Sequence, residues 1–201
     1  IADVRWIKEN GLRGGILLPN IAPDVKWVKP LYDRCYDPLW QVLQDLEVPI
    51  NIHSGSGNPD YGPYPVSMLL YINEVPFYTE RPLVQLILSG VFERFPRLKV
   101  VLTEAGCAWV PPLLERLDTN IRSIRDTGAT GEIRYGADHI LPKDATEYFH
   151  QNVWMGVSQP RQADADARHI IGLDQFMWGS DYPHDEGTYP YTRENLRARF
   201  S

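Results

Sequence analysis

Short apolar runs recur along the chain, each closed by a polar residue or a turn former and each followed by a stretch of helical periodicity. The runs are Gly15-Ile16-Leu17-Leu18, Pro49-Ile50-Asn51-Ile52, Lys99-Val100-Val101-Leu102-Thr103, Val153-Trp154-Met155-Gly156-Val157 and Gln175-Phe176-Met177-Trp178. Runs of this length bounded by Gly, Pro or Ser predict buried strands. Between them the apolar spacing turns helical. Val84, Ile87, Leu88, Val91 and Phe95 form one stripe that starts near Thr79 and is stopped by Pro96. Val110, Leu113, Leu114, Leu117, Ile121 and Ile124 form a second, with Pro111 and Pro112 in the first turn, where proline is tolerated. Shorter helices are expected over residues 2–10, after Asp37 as N-cap with Pro38 at the first helical position, over 145–150 and over 163–171. Five strands alternating with helices, without a hairpin signal, imply a parallel sheet in an α/β fold. Residues 21–36 read as a loop over the strand ends, and residues 54–77, rich in Gly, Pro and Tyr, as a long aromatic lid or a surface loop with a short helix near 66–72.

Composition narrows the class. The 201 residues suit one domain, with 43% hydrophobic and 23% charged residues in the ordinary globular range. A net charge of −6 argues against a nucleic-acid or anionic-membrane partner, because phosphate binding needs a basic face. No apolar run reaches the roughly 20 residues of a spanning helix, which makes a cytoplasmic protein the expectation. Cys35 and Cys107 are too few and too isolated for a disulfide framework or a cysteine-based zinc site. The chain opens at Ile1 inside one helical pattern and stops at Ser201 inside another, so residues 1–201 are expected to be the carboxyl-terminal portion of a longer domain.

Three of the strands deliver chemistry at their ends: His53, Glu104, and Asp181 in Gly179-Ser180-Asp181-Tyr182-Pro183-His184. Sites in α/β folds lie beyond the carboxyl ends of the strands, so these side chains are expected to converge. His53 and Asp181 could bind Zn²⁺, which in catalytic sites takes three protein ligands and leaves one position for water. A zinc-bound water with its pKa lowered toward ~7 would then be the nucleophile, oriented or deprotonated by Asp181. Glu104 could shuttle a proton or bind a cationic group. A strand-end histidine can equally be a hydrogen-bonded structural residue. His184 is placed either to bind substrate or to stabilise its loop, and Tyr61 and Tyr64 are placed as substrate contacts on the lid. Gly55-Ser56-Gly57 is not a phosphate loop, since Asp60 occupies the third glycine position. Cys107 has no neighbouring histidine and reads as packing, and His139, His150 and His169 as surface residues.

Together Ile52-His53-Ser54-Gly55, the stretch from Leu102-Thr103-Glu104-Ala105-Gly106 to Leu113-Leu114-Glu115-Arg116-Leu117-Asp118, and Met177 to His184 resemble the amidohydrolase-related family, in the branch that includes aminocarboxymuconate semialdehyde decarboxylase. The resemblance implies a TIM (β/α)₈ barrel of the metal-dependent hydrolase type, of which the five strands would be the fourth to the eighth. It implies one divalent metal, zinc foremost with manganese as the alternative. His53 corresponds to the fifth-strand ligand and Asp181 to the eighth-strand ligand. The family's first-strand His-x-His or Glu-x-His has no counterpart: Asn51, Ala137, Tyr148, Ala167 and Tyr182 stand two before the five histidines. Where the family's decarboxylases carry a sixth-strand histidine this chain has Glu104, which puts metal-dependent hydrolysis of a small, optionally carboxylated substrate ahead of decarboxylation. A metal-free partial barrel is the third reading. Five strands of an unclosed barrel leave two edges open, so a homo-oligomer is expected.

Overall fold

The structure is a computed structural model and describes residues 1–200. Its elements are α1 (Ala2–Glu9), β1 (Ile16–Leu17), α2 (Asp37–Asp45), β2 (Ile50–His53), α3 (Ser67–Leu88), α4 (Val91–Arg94), β3 (Val100–Thr103), α5 (Val110–Thr127), β4 (Ala129–Thr130), β5 (Ile133–Arg134), α6 (Ala145–Asn152), β6 (Val153–Ser158), α7 (Gln162–Ile171), β7 (Phe176–Gly179) and α8 (Thr192–Phe200). Five strands form one parallel sheet in the order β1-β2-β3-β6-β7. The register aligns Ile50 with Val100 and Val100 with Val153, so alternate residues fall on matching faces. One face carries Ile50, Ile52, Val100, Leu102, Val153 and Met155, all fully buried under the helices. The other carries Asn51, His53, Val101, Thr103 and Trp154, each half-buried. His53 and Thr103 are register partners at the end of that second face.

The helical layer is built by Trp40 and Leu43 of α2, Leu83, Leu86 and Ile87 of α3, Leu113, Leu114 and Leu117 of α5, and Tyr148 and Phe149 of α6. Each such side chain contributes roughly 1.5–3 kcal/mol of burial. Among the described residues no helix is long and apolar enough to cross a membrane.

Several expectations are corrected. The first strand is an edge with one neighbour, and Leu17 stands 67% exposed rather than buried. Asp37 begins α2 as its first residue rather than capping it, and its carboxylate accepts from Arg94 at 2.9 Å. A two-residue hairpin, β4 with β5, interrupts the parallel alternation at Gly131, whose φ of 55° suits the turn. The second half of the lid is helix: α3 runs for 22 residues through Pro76 and Pro82. Proline in a helix orphans the carbonyl four residues earlier. For Pro82 that is Tyr78, and its oxygen accepts from Asn20 Nδ2 at 3.1 Å, with Asn20 itself buried. For Pro76 it is Ile72, 61% exposed, where water can serve. The chain then breaks at Gly90, in the left-handed region, so the buried face of α3 is Thr79, Leu83, Leu86 and Ile87, while Leu88 is exposed.

Candidate active site

Each of the last three strands of the sheet is followed by a non-glycine residue in left-handed backbone. Glu104 lies one residue past β3 with φ 62°, Gln159 one past β6 with φ 49°, and Asp181 two past β7 with φ 60°. Such conformations cost of order 1 kcal/mol or more each and cluster where a side chain must be aimed at a site. The backbone of Glu104 still donates to Gly156 at 2.9 Å, so the turn begins from an intact ladder.

These turns bring the strand-end side chains together. His53 Nδ1 lies 2.7 Å from the Ser54 carbonyl, and its Nε2 lies 3.1 Å from Glu104 Oε1. A carbonyl can only accept, so Nδ1 carries a proton, and Nε2 then points its lone pair at a carboxylate unless a second proton or a cation lies between them. Asp181 is held from both sides: Oδ1 is 3.1 Å from His184 Nδ1, and Oδ2 accepts from Gln159 Nε2 at 3.0 Å. Its side chain is 8% exposed, against 56% for His184, so the carboxylate is sheltered and the imidazole faces outward. Glu104, Asp181 and His184 place ligand atoms within 4.8 Å of one another. Two carboxylates and an imidazole are the donor types that zinc and manganese accept, and the residues present fit a divalent cation. His53 joins this group through Glu104 rather than directly.

A cleft of about 550 Å³ opens over them, with Ser54, Glu104, Trp109, Gln159, Arg161 and Asp181 in its wall. His184, Tyr61 and Tyr64, expected as substrate contacts, are not among its lining residues. The Tyr61 hydroxyl donates to Glu74 at 2.6 Å, and Tyr64 is 68% exposed. The cause is the early start of α3: the Ser67 hydroxyl donates to the carbonyls of Tyr61 and Gly62 and folds this stretch onto the helix. Tyr71 instead packs on the loop that follows His53, its hydroxyl standing 2.6 Å from where a Cβ on Gly55 would be.

Asp164, which sequence patterning does not single out, fixes the loop behind Glu104. Its Oδ1 accepts from the backbone of Cys107 at 2.7 Å and of Ala108 at 3.0 Å, and its Oδ2 from Arg161 N at 3.0 Å. Gly106 is required there, since a Cβ would stand 2.7 Å from Asp164 Oδ1. Burial, and secondarily the Asp164 charge, pushes the Cys107 thiol up to about 12, so Cys107 is packing and no nucleophile. Gln159 and Asp164 follow the fourth strand, from which the apolar pattern alone draws no candidate. Their one signal is position past a strand end.

A parallel sheet covered by helices on one face, with His, Glu and Asp gathered beyond its strand ends on the other, defines part of a metal-dependent (β/α)₈ barrel. A family model described as amidohydrolase matches residues 1–201, and the chain belongs to the amidohydrolase family. It is 28% identical over 188 residues to a gamma-resorcylate decarboxylase of Polaromonas sp., an alignment covering 90% of this chain and 54% of that one. Among solved structures, an amidohydrolase of Mycobacterium avium subsp. paratuberculosis superposes with a TM-score of 0.71 at 27% identity, over 98% of this chain and 50% of that one. A dihydroxybenzoic acid decarboxylase of Polaromonas sp., solved with bound manganese and the inhibitor 2-nitroresorcinol, gives a TM-score of 0.66 at 22% identity over 98% and 58%. The chain thus spans about half the length of the curated relatives it matches. Both the Polaromonas sp. relatives are named decarboxylases, which favours the decarboxylase alternative over the hydrolase expected first, and the metal named is manganese where zinc was expected first.

Proposed function

We propose that this chain carries the strand-end half of a metal-dependent, non-oxidative decarboxylase site for a small aromatic acid. The supporting observation is the pair of strand-end contacts, His53 Nε2 to Glu104 and His184 Nδ1 to Asp181, each 3.1 Å, with Glu104 and Asp181 in the cleft wall. His53 and Asp181 are the residues that the family resemblance assigns to the cation, manganese or zinc; Asp181 already stands in the donor group, and His53 would exchange its contact with Glu104 for the cation. When bound, the cation supplies a Lewis acid that anchors an anionic substrate and draws electron density from it. Glu104, lodged between the two and lining the cleft, is the acid that delivers a proton. The bond between ring carbon and carboxylate breaks, its electron pair stays on the ring, CO₂ departs, and the proton from Glu104 forms the new C–H bond. His184 holds Asp181 in orientation through Oδ1, and its exposed imidazole is available to a substrate's polar groups. The Trp109 indole, tied by Nε1 to the Ala105 carbonyl at 2.9 Å, offers an aromatic wall to a planar ligand.

Decarboxylation is favoured over hydrolysis by the relative that aligns over 90% of the chain and is named a decarboxylase. In the full-length protein with Mn²⁺, dihydroxybenzoic acids are expected to be consumed with one CO₂ released per acid lost. An acid consumed without CO₂, or an amide or ester hydrolysed faster than any acid is decarboxylated, would return the assignment to hydrolysis.

A further inference from the structure

We propose that Gln159 is a positioning residue for the metal site: its side-chain amide fixes the Asp181 carboxylate in the orientation that a cation requires. This rests on the reading of Asp181 as a ligand. Gln159 stands one residue beyond β6 and donates from Nε2 to Asp181 Oδ2 at 3.0 Å. The adjoining strands hold this pair in place through the register of Ser158 with Gly179, so the two loops leave the sheet side by side.

The backbone supplies an independent observation. Gln159 has φ 49° and Asp181 φ 60°, so both partners sit in a region that disfavours a residue with a Cβ. Glycine at 159 would relax that strain, and a glutamine there has to be explained by its side chain. The chemistry of the amide fits the task. It is neutral, so it leaves the negative charge of Asp181 available. A lysine or arginine in its place would neutralise the carboxylate and compete with a cation, and a glutamate would repel it. With His184 on Oδ1 and Gln159 on Oδ2, the carboxylate cannot rotate without losing a contact. Hydrogen-bond partners that orient a ligand are typically worth 10–100-fold in metal affinity.

The test uses the full-length protein and Mn²⁺ alone, titrated with free Mn²⁺ followed by electron paramagnetic resonance, for the parent, Gln159→Gly and Gln159→Met. Thermal unfolding of each metal-free protein is recorded alongside. Both variants are expected to bind Mn²⁺ roughly 10–100-fold more weakly than the parent. Metal-free Gln159→Gly is expected to melt no lower than the parent, because the strained backbone is relieved. A purely structural glutamine would give the opposite pattern, a lower melting temperature with the Mn²⁺ affinity of the Met variant kept within twofold of the parent, and that result overturns the proposal. A parent that fails to bind Mn²⁺ overturns the metal reading itself and this inference with it, whereas a parent that binds and variants that match it overturn this inference alone.

Discussion

Glu104 occupies the position on which the chemistry turns, and two roles compete for it. Its carboxylate touches His53 at 3.1 Å and lies within the group formed with Asp181 and His184, so it could serve as ligand or as proton carrier. Glu104→Gln separates them, because the amide keeps the shape and loses the proton. The account expects Mn²⁺ affinity within a fewfold of the parent and turnover reduced by roughly 10²–10⁴-fold, the usual worth of a general acid. Affinity and turnover falling together would make Glu104 a ligand. His53, Glu104 and Asp181 are legible in the sequence because each terminates an apolar run, and a strand end has one place to go in an α/β fold. Gln159 and Asp164 are not legible, since a lone amide or carboxylate in a loop has no spacing to betray it. For Tyr61 the apolar pattern suggests a lid residue, but its hydroxyl turns to Glu74 on α3 while the Ser67 hydroxyl ties its carbonyl to the start of that helix, contacts that no spacing of aromatic residues announces.

At the scale of elements, α6 shows how its neighbours fix a helix. Asp144 and Glu147 form a reciprocal capping box, and the Asp144 carboxylate also pairs with Arg122 and Arg125. Its hydrogen bonds to Arg122 foremost, and to Arg125, hold the Asp144 carboxyl below its usual value of 3.8 against a partial desolvation. A carboxyl depressed by folding contributes stability that is complete above its unfolded pKa and is lost as pH falls through its folded pKa. Asp144→Ala is therefore expected to lose about 1–2 kcal/mol near neutral pH, mostly as the cap, since exposed ion pairs add little. The gap between variant and parent in urea unfolding should shrink as the pH is taken below about 4; a gap that widens there contradicts the assignment. The helices with long apolar stripes were legible, α5 above all. The length of α3 was not, because Pro76 and Pro82 read locally as breakers, and the Asn20 side chain that satisfies the Tyr78 carbonyl comes from 58 residues away.

For the whole molecule, the order β1-β2-β3-β6-β7 follows from alternation and right-handed crossovers, so the parallel sheet was legible without coordinates. What alternation leaves open is how the two edges are covered. Leu17 on β1 is 67% exposed, and Met177 and Trp178 on β7 are 40% and 39% exposed. Unpaired, apolar strand edges are templates for association. Residues 1–201 expressed alone are expected to form dimers or larger species whose mass by light scattering rises with concentration, and a strictly monomeric chain at high concentration would show that the edges are protected by other means.

The central claim is that His53 and Asp181 grip one cation. It is tested most directly by anomalous diffraction at the manganese edge from crystals of the full-length protein grown with Mn²⁺. The account predicts one peak within about 2.3 Å of both His53 Nε2 and an Asp181 carboxylate oxygen, the reach of first-row metal ligands. A peak that touches neither residue, or no peak at saturating Mn²⁺, would contradict it.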